Sequence, residues 1–209
     1  MSTDPRIART RRRLREAMLA LIEERDMSSI NVQDITQRAQ VNRTTFYLHY
    51  GNVEDLLDDA LDELIAELKA QTREFDMSRI DISQPGIPPN LPTWYTFLSE
   101  RLPLFRKLFT APIGVAFTTK LQAVQEAEFM EAWESHRLVA AEGTPPLDLR
   151  ARYAAAALLG VVSKWVTDEE PAQARCYDIW TWELLLPLWT TMIAEPSGVA
   201  EEAPAARAG

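Results

Sequence analysis

The side chains best suited to recognising a large polar partner lie close together near the N-terminus. Arg43 is followed by Thr44 and Thr45, and Tyr47 and His49 come shortly after them. An arginine can donate two hydrogen bonds to O6 and N7 of guanine, and a threonine methyl group can contact the thymine methyl group. Tyrosine and histidine suit phosphate oxygens, which position a protein on DNA without specifying sequence. These residue types predict a contact with the major groove of double-stranded DNA.

Two short helices joined by a tight turn must position these side chains, because only the first turns of a recognition helix reach base edges. Asn31 can cap a helix over residues 32–39, with Asp34 in the capping-box position. Asn42 can cap the next helix, residues 43–49, and is counted with the predicted DNA-binding residues. The internal core of this predicted helix-turn-helix consists of Ile35, Ala39, Val41 and Phe46.

A cluster of six arginines precedes this motif, although the whole chain has a formal charge of -9. Residues 1–52 carry nine arginines and six acidic residues, a net +3, whereas residues 53–209 carry a net -12. A basic end on an acidic body can hold phosphates at that end. We predict that Arg12 and Arg13 contribute to DNA binding; the alternative is an ordinary solvated helix face.

The sequence from Phe46 to Leu57, FYLHYGNVEDLL, resembles the TetR family of regulators. That family has a phenylalanine-tyrosine-x-histidine-aromatic stretch followed by an acidic-leucine start to its fourth helix, and the resemblance covers about residues 7–68. It implies a homodimer, a palindromic operator and a C-terminal domain that binds an effector or a partner. In that case effector binding changes the separation of the two recognition helices, and the repressor releases its DNA.

Two positions depart from the family pattern. Gln40 occupies the turn position where the family often has glycine, and this requires a less strained turn or a tolerated left-handed residue. Val53 occupies a position where the family usually has a lysine, which is expected to meet a phosphate. The protein is therefore expected to bind DNA more weakly or to depend more on its N-terminal arginines.

Helical periodicity and scarce glycine predict an all-α fold. We expect a helix-turn-helix domain over residues 1–52, beginning with a helix over 6–25 that buries Ile7. A long connecting helix follows over residues 53–75, and its apolar residues from Val53 to Leu68 have the spacing of one buried stripe. Prolines mark residues 76–92 as a loop or boundary. The helical effector-binding and dimerisation domain covers residues 76–195, ahead of a disordered tail, 196–209. Its helices are predicted over 93–110, 115–141, 148–168 and 172–194, the last kinked by Pro187.

Two C-terminal segments, residues 153–162 and 179–189, are apolar on nearly every side. Such helices must be covered on two sides, most simply by a second copy of the chain in a four-helix interface. The alternative is a thick monomeric core. The residues predicted to contact the partner subunit are Leu158, Trp180, Leu184, Leu188 and Trp189.

Aromatic residues of the C-terminal part can line an apolar cavity for an effector. Aromatic residues at helical spacing also fit an ordinary core. Four acids, Glu126, Glu128, Glu131 and Glu134, would favour a cationic effector, although a solvated helix face explains them as well. The predicted effector-binding residues are Trp94, Phe97, Phe105, Phe109, Phe117, Phe129, Trp133 and Trp165.

The sequence contains two histidines and one cysteine, too few for most metal or nucleophile sites. We therefore expect no metal, no cofactor and no enzymatic activity. Without a leader or a stretch of about 18 apolar residues, a cytoplasmic protein is expected. Two functions stay open: a ligand-responsive DNA-binding repressor, and a protein–protein co-activator or adaptor on a TetR-like scaffold.

Overall fold

The computed structural model describes residues 5–72, 86–88, 90–110, 112–135, 137–168, 174–190 and 192–194. Helices dominate these residues, which confirms the all-α prediction, with one short 3-10 turn at Met27–Ser29. The α-helices are α1 Pro5–Glu24, α2 Val32–Ala39, α3 Arg43–Tyr47, α4 Val53–Thr72, α5 Asn90–Glu100, α6 Leu102–Thr110, α7 Gly114–Ser135, α8 Leu147–Thr167 and α9 Ala174–Thr190.

The capping box predicted at Asn31 is present at the start of α2. Asn31 Oδ1 accepts hydrogen bonds from the backbone N–H groups of Gln33 and Asp34, and Asp34 Oδ2 accepts from the N–H of Asn31. α2 packs on α1, and α1 also contacts α4 and α6. The predicted burial of Ile7 is wrong, because α1 begins outside the packed core and leaves this side chain exposed.

Helix α4 contacts α1 as well as α5 and α7. The predicted stripe from Val53 to Leu68 is partly buried at Val53 and Leu57 and buried at its other positions, Leu56, Ala60, Leu61, Leu64, Ile65 and Leu68. The same helix thus carries core residues for the N-terminal helices and for the C-terminal ones.

The single helix expected over residues 93–110 is two helices, α5 and α6, separated at Arg101. Pro103 lies in the first turn of α6, where its missing N–H costs nothing. In one continuous helix, position 103 would have to donate its backbone N–H to a carbonyl of the preceding turn, and proline has no N–H to donate. Pro92 likewise lies in the first turn of α5, not in the loop to which the sequence pattern assigned it.

A two-stranded antiparallel sheet pairs β1, Leu138–Ala140, with β2, Met192–Ala194. The helices predicted over 115–141 and 172–194 are therefore too long at their C-terminal ends. Arg137, two residues after the end of α7, adopts a left-handed φ of 51°, which a continued α-helix does not allow. Strands of three residues are too short for a period-2 pattern to reveal them.

Two predictions fall outside the described residues: the tail over 196–209 and most of the proline-containing loop after α4. Pro187 lies inside α9 as expected, and the kink there stays a prediction. Among the helices described, none combines the length and apolar character that a bilayer crossing needs.

Candidate nucleic-acid interface

The N-terminus of α3 is capped by the side chain of Asn42. Asn42 Oδ1 accepts hydrogen bonds from the backbone N–H of Thr45, at 2.6 Å, and from its Oγ1, at 2.8 Å. The amide oxygen of Asn42 and the two donors of Thr45 are therefore paired with each other, and Thr45 is half-buried. Arg43 and Thr44 lie between them and are exposed. The cap thus places two of the three predicted base-contacting side chains on the surface.

The opposite side of α3 is anchored by aromatic packing. Phe46 is fully buried, and its ring lies 5.3 Å from that of Tyr47 and 5.9 Å from that of Tyr50. Tyr47 itself is 52% exposed, and His49 is half-buried. This packing fixes which face of the helix points outward, because Phe46 cannot leave the core without exposing its ring.

Leu48, the residue directly after α3, is 76% exposed and carries no predicted role. Its N–H donates to the carbonyl oxygen of Thr44, at 3.1 Å. The spacing of four from Thr44 already places it on the same helix face, which is the sequence signal that could have identified it.

The turn between α2 and α3 uses a left-handed residue. Gln40 has φ 53° and ψ 46°, so this departure from glycine is accommodated by a left-handed conformation. For a residue with a Cβ this costs about 1 kcal/mol. Arg13 Nη2 donates to the backbone oxygen of Gln40, at 3.2 Å. Arg13 therefore connects α1 to the turn between α2 and α3 through this hydrogen bond.

The arginines of α1 divide into two groups. Arg12 is exposed and pairs with Glu16 one turn later, at 2.8 Å. Arg6 and Arg9 are also exposed. Arg11 and Arg15 instead turn toward α4 and form ion pairs with Asp59. The sequence cluster is therefore partly an outward basic surface and partly an internal connection between two helices.

A polar network centred on Asp59 holds the segment that follows α3. Tyr50 Oη donates to Asp59 Oδ2, and Arg11 donates to Tyr50 Oη, at 3.3 Å, and to Asp59 Oδ1, at 2.7 Å. Burial, assisted by the neighbouring Asp59 carboxylate, raises the pKa of Tyr50 to about 12. The network joins α1, α4 and the end of the helix-turn-helix. Asp59 was missed because it lies 9 residues after Tyr50 and no local motif connects the two.

Val53 begins α4 and packs, partly buried, against the core. The side chain of Asn52 caps this helix by accepting the N–H of Asp55, at 2.7 Å. An apolar residue at position 53 thus adds to the packing of the fourth helix.

The eight predicted effector-binding residues are all buried or partly buried in the C-terminal core. Phe97, Phe105, Phe117 and Phe109 form a chain of ring contacts with centroid distances of 5.7–6.1 Å. Trp165 packs against Tyr95, at 5.1 Å, and Phe129 against Trp133, at 5.8 Å. Trp94 Nε1 is buried and has no hydrogen-bond partner among the described residues.

The four acids of α7 lie in different environments. Glu131 and Glu134 are exposed, and Glu126 is half-buried. Glu128 turns inward toward Lys69 of α4, at 3.5 Å, and accepts a hydrogen bond from Gln125, at 3.0 Å. Burial raises the pKa of the Glu128 carboxyl, against the opposing effect of Lys69.

The predicted dimer residues do not share one surface. Trp180 and Leu184 of α9 are exposed, Leu188 is half-buried, and Leu158 is 4% exposed within the core of its own chain. The side chain of Trp189 lies outside the described residues. Two apolar residues of α8 are exposed although neither is among those five: Leu149, and Tyr153 at the start of the predicted apolar segment 153–162.

Nothing in the described part of the chain gathers three or more His, Cys, Asp or Glu side chains in a way that could hold a metal ion. Cys176 is a free, half-buried thiol.

Comparison with known proteins places this geometry in context. Residues 14–60 match the profile of a family described as bacterial regulatory proteins, tetR family. An uncharacterized HTH-type transcriptional regulator of Bacillus subtilis, YxbF, is 41% identical over 66 residues, which cover 31% of this chain and 17% of YxbF. A second such regulator, from Haemophilus influenzae, is 25% identical over 122 residues, covering 56% of this chain and 58% of that protein. The chain therefore spans less than two thirds of either relative.

The similarity in fold extends further than the similarity in sequence. The crystal structure of a TetR transcriptional regulator from Streptococcus agalactiae superimposes with a TM-score of 0.63. The match covers 86% of this chain and 95% of that one, at 19% sequence identity. The two chains therefore share an overall fold.

Proposed function

We propose that this chain, a transcription regulator of the TetR family, represses transcription by binding a palindromic operator as a homodimer, and that a small-molecule effector releases it. One observation carries the proposal. Arg43 and Thr44 lie exposed at the start of α3, and the buried ring of Phe46 and the cap of Asn42 fix their direction. A helix held in this way can offer one guanidinium and one methyl-bearing hydroxyl to the base edges of the major groove.

Phosphate contacts supply the remaining affinity in this proposal. Tyr47, His49 and Arg12 are at least partly exposed, and each carries a group that can donate to a phosphate oxygen. Arg12 gives up only an exposed ion pair with Glu16, which is worth little in water. Arg13 would contribute through its position at the turn and Asn42 through the cap of α3.

The dimer is proposed to form through the exposed apolar side chains of α8 and α9. Leu149 and Tyr153 lie on α8, and Ile179, Trp180 and Leu184 lie on α9. Water-exposed residues of this size gain free energy when a second copy covers them. Leu158 is buried in the core of its own chain and is not part of this surface. Leu184→Glu should convert the dimer to a monomer in sedimentation experiments, whereas Val115→Glu, at an equally exposed apolar position on α7, should not.

Effector release is proposed to act through the contacts between α6, α7 and the DNA-binding helices. Lys107 of α6 lies 3.5 Å from Asp26, which follows α1, and Lys120 of α7 pairs with Asp58 and Asp62 of α4. A molecule that separates the rings of α5–α7 would shift α6 and α7 and, through these pairs, α1 and α4. The buried N–H of Trp94 could donate to an acceptor on such a molecule.

Selection from a random duplex library tests the proposal directly. The purified chain should enrich a sequence with two inverted half-sites. Arg43→Ala should weaken binding to that sequence by about 10- to 100-fold, since a forked arginine–guanine contact discriminates by about 1–3 kcal/mol. Arg101→Ala removes the same charge between α5 and α6 and should change affinity little.

Two results would contradict the proposal: no enriched sequence, or an Arg43→Ala variant that binds the enriched operator as tightly as the original chain. Capture of one stoichiometric protein partner together with loss of any DNA selectivity would favour the adaptor function instead. The effector is testable by mass spectrometry of small molecules released from the purified chain. Each compound is then added to the operator complex, and the expected result is dissociation of the DNA.

A further inference from the structure

Leu48 is the most exposed large apolar side chain in the part of the chain that the structure describes. It follows α3 directly and keeps a right-handed helical backbone, with φ -72° and ψ -20°. Its N–H donates to the carbonyl oxygen of Thr44, so the two residues are one helical turn apart and share a face. Phe46 and Tyr50 occupy the buried side of the same segment.

A single exposed leucine is ordinary on a protein surface. The neighbours of Leu48 distinguish it, because Arg43, Thr44 and Tyr47 are exposed on the same short segment and are the side chains proposed to meet DNA. A leucine pressed against a phosphate or a hydrogen-bonding base edge would remove water from that group without replacing its hydrogen bonds, which is unfavourable. The major groove offers one apolar group, the C5 methyl group of thymine.

We propose that Leu48 is a specificity-determining residue whose side chain contacts the C5 methyl group of one thymine in each operator half-site. The inference rests on the proposed function, because it requires α3 to dock in the major groove. An α-helix rises about 1.5 Å per residue, so Leu48 lies about 6 Å along the axis from Thr44. At about 3.4 Å per base pair, its thymine lies within about two steps of the base that faces Thr44.

Replacing thymine by deoxyuridine tests the contact, because this change removes the methyl group and keeps the base pair. Each thymine of the selected operator is exchanged in turn, and affinity is measured by fluorescence anisotropy with the full-length chain. At one thymine in each half-site the exchange should weaken binding about fourfold, the effect of exposing one buried methyl group. Leu48→Ala should bind the thymine and deoxyuridine forms of that operator equally well.

Two variants serve as controls. Thr44→Ser removes the other methyl group of this face and should keep the sensitivity at the Leu48 thymine. Val115→Ala shortens an apolar side chain that is 72% exposed on α7, and it should behave as the original chain at every thymine. Leu48→Ala should also retain the affinity of the original chain for random DNA and its thermal unfolding midpoint, since Leu48 contributes little to the core.

An operator whose deoxyuridine forms all bind equally would overturn this inference alone. The same conclusion follows if Leu48→Ala keeps the full sensitivity to the exchange, or if it weakens binding to selected and random DNA by the same factor. A library selection that enriches no sequence would overturn the proposed function and this inference together.

Discussion

The N-terminal helices α1–α4 and the C-terminal helices α5–α9 both contribute to one apolar core, and they differ in the polar and aromatic contacts that accompany it. In the first region, Asn31 and Asn42 cap short helices, and Asp59 connects α1 to Tyr50 through directional hydrogen bonds. In the second region, contacts between aromatic rings extend through the core, as in the chain from Phe97 to Phe109, and hydrogen bonds such as that between Tyr95 and Thr181 accompany them. The strength of a hydrogen bond depends steeply on its angle, whereas an apolar core tolerates substitutions that conserve its volume.

This difference fits the two tasks proposed for the molecule. A base-contacting side chain on α3 must be held at a defined position, because a hydrogen bond weakens steeply when its geometry is wrong. A region that accommodates an effector must repack, and apolar contacts tolerate repacking at modest cost. Four pairs of variants test how far the comparison holds. Three pairs have one residue in each region, and the remaining pair compares two helix caps within the N-terminal region.

The largest effect is expected from shortening the central ring of each region. Phe46→Ala and Trp133→Ala each remove a fully buried aromatic side chain and should lower the free energy of unfolding by about 3–5 kcal/mol. Urea unfolding followed by circular dichroism measures both. Under conditions in which both variants are folded, Phe46→Ala should lose operator affinity and Trp133→Ala should keep it. Equal losses of affinity would remove the distinction between the regions.

The second comparison concerns two buried tyrosines, Tyr50 beside Asp59 and Tyr95 beside Thr181. Burial is the main cause that raises the pKa of each to about 12. Because the unfolded side chain ionises near 10, each tyrosine contributes stability that is fully present below pH 10 and is lost as the pH rises to about 12. A shift of this size corresponds to on the order of 2 kcal/mol.

Urea unfolding at pH 9 and pH 11.5 measures this loss of stability. Tyr50→Phe and Tyr95→Phe should each reduce the difference between the two pH values. If both variants keep the full difference in unfolding free energy between pH 9 and pH 11.5, other groups cause the loss of stability at alkaline pH.

The third comparison separates a cap with a structural role from a cap at the proposed interface. Asn31→Ala and Asn42→Ala each remove a side-chain acceptor from a helix N-terminus and should each cost about 1 kcal/mol of unfolding free energy. Only Asn42→Ala releases Thr45 and disturbs α3, so it should weaken operator binding more than Asn31→Ala at the same loss of stability. Anisotropy titrations at matched stability check this, and equal affinities would count against a fixed α3.

The smallest effect is expected at the two left-handed residues, Gln40 before α3 and Arg137 after α7. Glycine adopts this conformation without the Cβ penalty. Gln40→Gly and Arg137→Gly should therefore each raise the free energy of unfolding by about 0.5–1 kcal/mol. Gln40→Gly should gain less, because it also removes the side-chain acceptor 3.4 Å from Arg13. A loss of stability at both positions would show that the side chains contribute more than the strain costs.

Most of the N-terminal region could be predicted from local sequence, although α3 ends at Tyr47 instead of residue 49 and Ile7 is exposed. The bounds of α2, the capping box at Asn31 and the cap at Asn42 were all expected, because each depends on residues within about one helical turn. The exposure of Arg43 and the burial of Phe46 follow from the same spacing. Periodicity alone likewise indicated the buried stripe of α4.

The sequence by itself determined the helical class, the helix-turn-helix and the side of α3 that carries its polar residues, since these depend on short-range spacing. Only the tertiary structure decided that Arg11 and Arg15 face Asp59, that Leu158 points into its own core, and that Leu138–Ala140 pairs with Met192–Ala194. Each of these outcomes depends on segments distant in the chain. Where a helix has several polar or several apolar positions, no local pattern specifies which of them will contact a segment that is distant in the chain.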